Sequence, residues 1–346
     1  MTFFCVGGLL GSQLSKKAGH KVALIIAGAL SGLGFVLTAL LHNAGVWTLY
    51  ITYGVLAGLG IGVAYNVVIA TVSGWFADKK GLCSGCLMMG FGASALLLGN
   101  VADAIFKSTL GWRFAYIVLG ISIFVVLALA GILLKKAEIV KTDTNEKEES
   151  KSEQQNYTSG QMLCRVSFWM AFICISFLAA VGSSVISFAK DLALSVDAPE
   201  TLAVSLVGVL SVCNGLGRII TGAVFDAVGR RTTMICANLL TICAAGVTLL
   251  AVTVNSLPLC IIGLCLTGMS YGACPTITAA FTSSFYGMKY FSGNMAYMTF
   301  TVMAGSLIAT ASNKVLEATG GYNATFVMLL ALTIVALILN MLIRKP

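Results

Sequence analysis

The sequence predicts an all-α polytopic membrane protein, and three observations carry that prediction. The 346 residues are 58% hydrophobic and only 10% charged, whereas a soluble domain carries about 25% charged residues. The apolar residues come in long runs and not in the short alternating segments of barrel strands. Most lysines and arginines fall in short polar stretches between those runs, as they do in the loops of helical membrane proteins.

About 20 apolar residues, rising 1.5 Å each, cross a hydrocarbon core ~30 Å thick. Ten runs meet that length, at 22–41, 47–73, 82–106, 112–134, 167–189, 202–225, 232–254, 257–285, 291–312 and 322–343. Residues 2–14 are apolar as well, but at ~20 Å they fall short of a span. Residues 135–157 read KKAEIVKTDTNEKEESKSEQQNY. That segment is charged, mixed in sign and poor in apolar residues, as a flexible linker is. The expected organisation is therefore a helix bundle over 1–134, a cytoplasmic linker over 135–164 and a second bundle over 165–346.

Placing the linker in the cytoplasm puts Lys16, Lys17, Lys21, Lys79, Lys80, Arg230, Arg231, Lys289 and Arg344 on the same side. Only Lys107, Arg113, Lys190 and Lys314 then lie outside. The positive-inside bias thus predicts a cytoplasmic C-terminus. The expected location is the bilayer of a bacterial inner membrane, as a monomer.

Several function classes are excluded or unsupported. The net charge of +8 resides in loops between apolar runs and does not indicate nucleic acid. Eleven cysteines are scattered through apolar segments. Cys83 and Cys86 form a C-x-x-C without a histidine or second pair, so small core residues are the expected reading. His20 and His42 lie in or near loops, which leaves no metal, cofactor or catalytic constellation. No phosphate-cradling G-x-x-x-x-G-K-[ST] loop is present, so neither a nucleotide partner nor nucleotide-driven pumping is expected. The N-terminus has no basic region of the kind that precedes a cleaved signal.

An internal repeat runs at an offset of 210 residues, pairing Gly19 with Gly229, Gly58 and Gly62 with Gly268 and Gly272, and Gly111-Trp112 with Gly321-Tyr322. Ser84-Gly85 aligns with Ser292-Gly293 after a two-residue slip. The members of each pair run in the same direction, so the repeat is parallel, as in the two halves of major facilitator transporters. The second half begins near Arg165, which places the matching start of the first half about 45 residues before Met1. The expectation is two six-helix halves lacking the first helix, with a misassigned start codon as the leading explanation.

Two stretches, GSQLSKKAGHK and TGAVFDAVGRR, resemble the loop motif of the major facilitator superfamily. The second copy matches at Gly222, Asp226, Gly229, Arg230 and Arg231; the first matches at Leu14, Lys17, Gly19 and Lys21. Its acidic position is Lys16, a reversed charge, which puts the charge lock implied by the resemblance in doubt for the first half. Asp226 and the arginine pair can form an ion-pair cluster beside helix ends. More finely, GLGIGVAYNVVIATVSGWFADKKGLCSGCLMMGFGASAL, NGLGRIITG and FYGMKYFSGN resemble the oxalate/formate antiporters and the monocarboxylate transporters.

Arg218 is the sharpest candidate for a substrate site. It lies eight residues before Asp226, ~12 Å along the helix and near the midplane. An arginine there costs about 2.5–3.5 kcal/mol on insertion scales and must face protein or a wet cavity. Its planar fork suits a carboxylate, and the resemblance implies that it binds the substrate carboxylate. The competing reading is a structural arginine bonded to backbone carbonyls of a neighbouring helix. Asn214 lies one turn earlier on the same face, where proton-coupled monocarboxylate transporters carry an aspartate.

An amide cannot ionise, which favours anion exchange over proton symport. Between 291 and 313 there is no second cation of the kind the family's oxalate transporters use. A small monocarboxylate such as formate or lactate is therefore the expected substrate. Further cavity candidates are Tyr65, Asn66 and Thr71, then Ser183, Ser184 and Ser187, then Tyr271 and Thr276, and finally Asn294 and Tyr297. For each of these, packing or a local hydrogen bond is the competing role. Gly54, Gly58 and Gly62 make a small-residue packing face. Pro275 is expected to break its helix locally, and Asp103 to pair with Lys107 at a helix end. The alternatives in view are a proton-coupled monocarboxylate symporter and a truncated membrane protein that does not transport.

Overall fold

The computed structural model describes residues 1–41, 45–76, 79–109, 111–134 and 156–344. Within 80–107 it describes the backbone alone at 91–93, 95–100, 102–103 and 107. His42, residues 135–155 of the expected linker and the expected Asp103–Lys107 pair lie outside the described residues.

The described residues are helical, with no strand among them. In chain order the helices are α1 (Thr2–Leu40), α2 (Val46–Leu49), a π-helical stretch (Tyr50–Ala57), α3 (Gly58–Ser73), α4 (Lys80–Lys107) and α5 (Gly111–Leu133). They continue with α6 (Ser159–Leu163), α7 (Val166–Leu194), α8 (Glu200–Thr253), α9 (Leu257–Tyr286), α10 (Phe291–Met298), α11 (Phe300–Thr319) and α12 (Tyr322–Leu342). Eight helical segments among the described residues are long and apolar enough to cross a membrane. Lipid forces this architecture, because a backbone without water must satisfy its own N–H and C=O groups.

Two of those segments change direction at a glycine. α1 breaks at Gly19 (φ 84°, ψ 163°) and α8 at Gly229 (φ 77°, ψ 175°). The two glycines are the 210-residue repeat pair, so the repeat extends to backbone dihedrals. Only glycine enters that region without strain.

Three expectations about elements need adjustment. The short apolar run at 2–14 continues as helix to the break at Gly19, because lysine and alanine propagate a helix beyond its apolar part. α9 is helical through Pro275, where a break was expected. Proline there removes one donor, and a membrane helix tolerates that loss where its neighbours re-satisfy the carbonyl. The run at 47–73 contains the π stretch, in which Thr52 receives a hydrogen bond from Thr38 (3.0 Å) and donates to the Thr48 carbonyl (3.0 Å).

The helices gather into two units. The first comprises Met1–Asp78, Ile105–Cys164 and Thr282–Tyr297. Its core joins Ala23, Leu24 and Ala27 of α1 to Val63, Ala64 and Val67 of α3. Small residues set the spacing, since a side chain at Gly7 or Gly62 would strike the backbone of Leu59 or Phe4. Gly58 meets Phe3, whereas Gly54 meets nothing within 4 Å.

The second unit comprises Lys79–Ala104, Arg165–Phe281 and Met298–Pro346. Its core runs from Val181, Val185 and Phe188 of α7 through Leu206 and Leu210 of α8 to Leu264 of α9 and Phe326 of α12. Gly268 and Gly272 press on the backbone of Leu210 and Asn214, repeating the role of Gly58 and Gly62.

Candidate functional site

The segment of α8 before Gly229 carries Arg218 in the interior of the second unit, with 7% of its surface exposed. Asn214, one turn away, orients it: Arg218 Nε donates to Asn214 Oδ1 at 3.1 Å. Arg218 Nη1 donates to the Met88 carbonyl of α4. The backbone carbonyl of Arg218 accepts from Thr276 Oγ1 of α9 at 3.3 Å. Close packing makes this possible. A side chain at Gly85 would meet the Arg218 backbone, and one at Gly217 would meet Met269. Three helices therefore converge on one cation. A guanidinium offers five N–H donors. Asn214 engages Nε, and Met88 the Nη1 end.

Tyr271 belongs to the same unit. Its ring covers Gly182 of α7, and its hydroxyl accepts from Ser183 Oγ at 3.4 Å. Nearby serines tie α7 to α11. Ser312 Oγ donates to Ser184 Oγ at 2.8 Å, and Ser187 Oγ donates to Asn313 Oδ1 at 3.2 Å. Thr276, Ser184 and Ser312 are buried, so these bonds also satisfy groups that water does not reach.

The other candidates lie in the first unit, where the polar groups of Asn66, Asn294 and Thr71 have structural partners. Asn66 is buried and exchanges two hydrogen bonds with Ser292: its Nδ2 donates to the Ser292 carbonyl (3.1 Å), and Ser292 Oγ donates to its Oδ1 (2.7 Å). Asn294 is buried too. Its Nδ2 donates to the Tyr157 carbonyl at 2.9 Å, and its Oδ1 accepts from Ser159 Oγ at 3.0 Å. Tyr65 packs against Phe4 with ring centroids 5.0 Å apart. Tyr297 is half-buried in α10, and Thr71 Oγ1 bonds back to the Val67 carbonyl at 2.7 Å.

Thus Asn214, Arg218 and Tyr271 share one unit, while Tyr65, Asn66, Asn294 and Tyr297 share the other. Sequence reasoning missed Met88, Ser292 and the 156–163 segment. A T-x-x-Q capping pattern signals the last of these: Thr158 and Gln161 cap each other reciprocally at the start of α6. That segment docks through Tyr157, whose N–H donates to the Tyr286 carbonyl at 3.0 Å and whose ring meets Tyr286 edge-on.

In the loop motif, Asp226 acts as a helix cap. Its two carboxylate oxygens accept from the Gly81 N–H (2.8 Å) and the Leu82 N–H (2.7 Å) in the first turn of α4. Gly222 makes room, since a side chain there would meet the Gly81 backbone. Arg230 is half-buried and Arg231 exposed beyond the break at Gly229. In the first copy, Lys17 and Lys21 are exposed on either side of Gly19, and His20 Nε2 lies 2.8 Å from the Leu134 carbonyl.

Comparison with known proteins follows from this geometry. The family model for the Major Facilitator Superfamily matches residues 1–189 and again 172–346. The chain is 27% identical over 307 residues to the uncharacterized MFS-type transporter YhjX of Escherichia coli (strain K12), covering 87% of this chain and 73% of that protein. It is 26% identical over 369 residues to monocarboxylate transporter 12 of Mus musculus, covering 95% and 72%. It is 30% identical over 235 residues to the oxalate:formate antiporter of Oxalobacter formigenes, covering 65% of this chain and about half (52%) of that one. The solved structure of the proton:xylose symporter XylE superposes with a TM-score of 0.76 at 16% identity, covering 99% of this chain and 84% of that chain. At that identity the likeness concerns the fold.

Proposed function

Because the chain belongs to the Major Facilitator Superfamily and is an integral membrane protein, we propose that it is a secondary transporter that exchanges small monocarboxylates such as formate or lactate. The observation that carries this reading is Arg218, a buried guanidinium held at one edge by Asn214. Its charge suits a carboxylate, and its planar fork can grip two oxygens at once. Two relatives are named for monocarboxylate transport and for oxalate:formate antiport. In this reading Asn214 and Tyr271 help Arg218 hold substrate, and Tyr65, Asn66, Asn294 and Tyr297 are the candidates for substrate contact in the first unit. The protein works as a monomer in a bacterial inner membrane, with the C-terminus in the cytoplasm and residues 135–164 linking two bundles.

A second reading rests on the bond from Arg218 to the Met88 carbonyl, which makes the arginine a tie between α4 and α8. Counterflow of labelled formate and lactate in liposomes, paired with thermal melting, separates the two. Under the transport reading, Arg218→Gln abolishes counterflow. Arg218→Lys keeps the charge but loses the fork, and lowers counterflow by about tenfold or more. Wild-type counterflow in both variants, with a lowered melting temperature, would leave the tie between helices as the role of Arg218.

A further inference from the structure

The reversed charge at Lys16 points to a second anion site, independent of Arg218. In the second unit, Asp226 serves the two N–H groups at the second and third positions of α4. These are among the four donors that any helix start leaves without intrahelical partners. In the first unit α10 is the repeat partner of α4; the Lys289 N–H, which aligns with that of Gly81, donates to Asn156 Oδ1 at 3.2 Å, and the open donors lie one turn further on. The Phe291 N–H reaches the Met288 carbonyl (3.2 Å), and the Asn294 N–H closes the first turn on the Tyr290 carbonyl (3.1 Å). Between them, the Ser292 and Gly293 N–H groups have no backbone or side-chain acceptor among the described residues. They too hold the second and third positions of their helix.

Lys16 occupies the place in the repeat that Asp226 occupies in the other copy, since 226 less 210 is 16. A methyl group added at Gly293 would stand 3.5 Å from Lys16 Nζ, 3.5 Å from Ser12 Oγ and 2.7 Å from Ser159 Oγ. Ser12 is 3% exposed, and its hydroxyl has no hydrogen-bond partner among the described residues. The exposed ammonium of Lys16, the hydroxyl of Ser12 and two amide donors therefore converge on the positive end of a helix. Such an end favours an anion that joins the groups. The spacing suits one. Gly293 N lies about 2.5 Å from the added methyl, hence within ~6 Å of Lys16 Nζ, and two charge-assisted bonds of ~2.8 Å through one oxygen span that gap.

We infer that Lys16, Ser12 and the Ser292 and Gly293 N–H groups bind a phosphate-type oxyanion at the first turn of α10. Ser159 borders the same space. The oxyanion comes either from solution or from the headgroup of an anionic lipid.

The test uses the full chain in phosphatidylcholine nanodiscs and reads the melting temperature in two arms. One arm adds sodium phosphate against sodium chloride at equal ionic strength. The other replaces part of the phosphatidylcholine with phosphatidylglycerol in phosphate-free buffer. Wild type is expected to melt several degrees higher in one arm, and that arm identifies the source. Lys16→Asp carries its own carboxylate, so it is expected to melt above wild type without the anion and to respond in neither arm. Ser12→Ala is expected to respond more weakly than wild type. A wild type that responds in neither arm, or a Lys16→Asp variant that responds as wild type does, overturns the inference.

Discussion

Asp226 and Asn214 show how little chemistry separates a structural role from the functional one proposed for Asn214. Both are short polar side chains on the same stretch of α8, eight and four residues from Arg218. Asp226 spends both oxygens on the N–H groups of Gly81 and Leu82. Asp226→Asn keeps the size but leaves one acceptor oxygen and no charge. It is expected to cost ~1 kcal/mol, the usual worth of a helix cap, and to lower the melting temperature by a few degrees with little change in carboxylate affinity. Asn214→Asp acts on affinity instead. A carboxylate 3.1 Å from Arg218 Nε becomes an internal anion that competes with substrate for the guanidinium. Carboxylate binding at neutral pH is expected to fall about tenfold or more. Equilibrium binding of labelled formate to the purified chain at neutral pH reads this effect. A variant that binds at neutral pH as wild type does would remove Arg218 from the substrate site.

At the scale of the element, the glycine breaks in α1 and α8 make the sharpest claim. Gly229 and Gly19 meet nothing within 4 Å at the place of a side chain, so alanine there is opposed by backbone conformation alone. That conformation costs a non-glycine residue about 1–3 kcal/mol. Gly229→Ala and Gly19→Ala are expected to lower the melting temperature by similar amounts. Gly246→Ala, in an equally open but helical position, is expected to leave it unchanged or raise it. These breaks were legible in the sequence, because a positive φ selects glycine and the repeat places both at one offset. The spans were legible for a related reason: lipid makes each segment satisfy its own backbone. The partners of the polar side chains were not. Arg218 bonds a backbone carbonyl, and every residue has one, so Met88 carries no mark in the sequence. Asn66 and Asn294 read as cavity amides, yet each finds its partners across a large sequence separation. The π stretch at Tyr50–Ala57, where Thr52 accepts from Thr38 of α1, carries no mark in local propensity either.

At the scale of the whole molecule, the charge of Arg218 is the ground for proposing exchange over net flux. A cation near the middle of a membrane protein costs about 2.5–3.5 kcal/mol on insertion scales. In the proposed function, a bound monocarboxylate neutralises it during reorientation, whereas an empty carrier moves it with its charge intact. That difference slows empty reorientation in the proposed cycle. Asn214 adds no proton to offset the charge, since an amide does not titrate. Liposomes preloaded with formate are therefore expected to take up labelled formate faster than empty liposomes. An inward proton gradient imposed on empty liposomes is expected to add little. Equal uptake by loaded and empty vesicles, or accumulation driven by the proton gradient alone, would assign this chain to symport. The charge of Arg218 would then have to be balanced by a group other than the substrate.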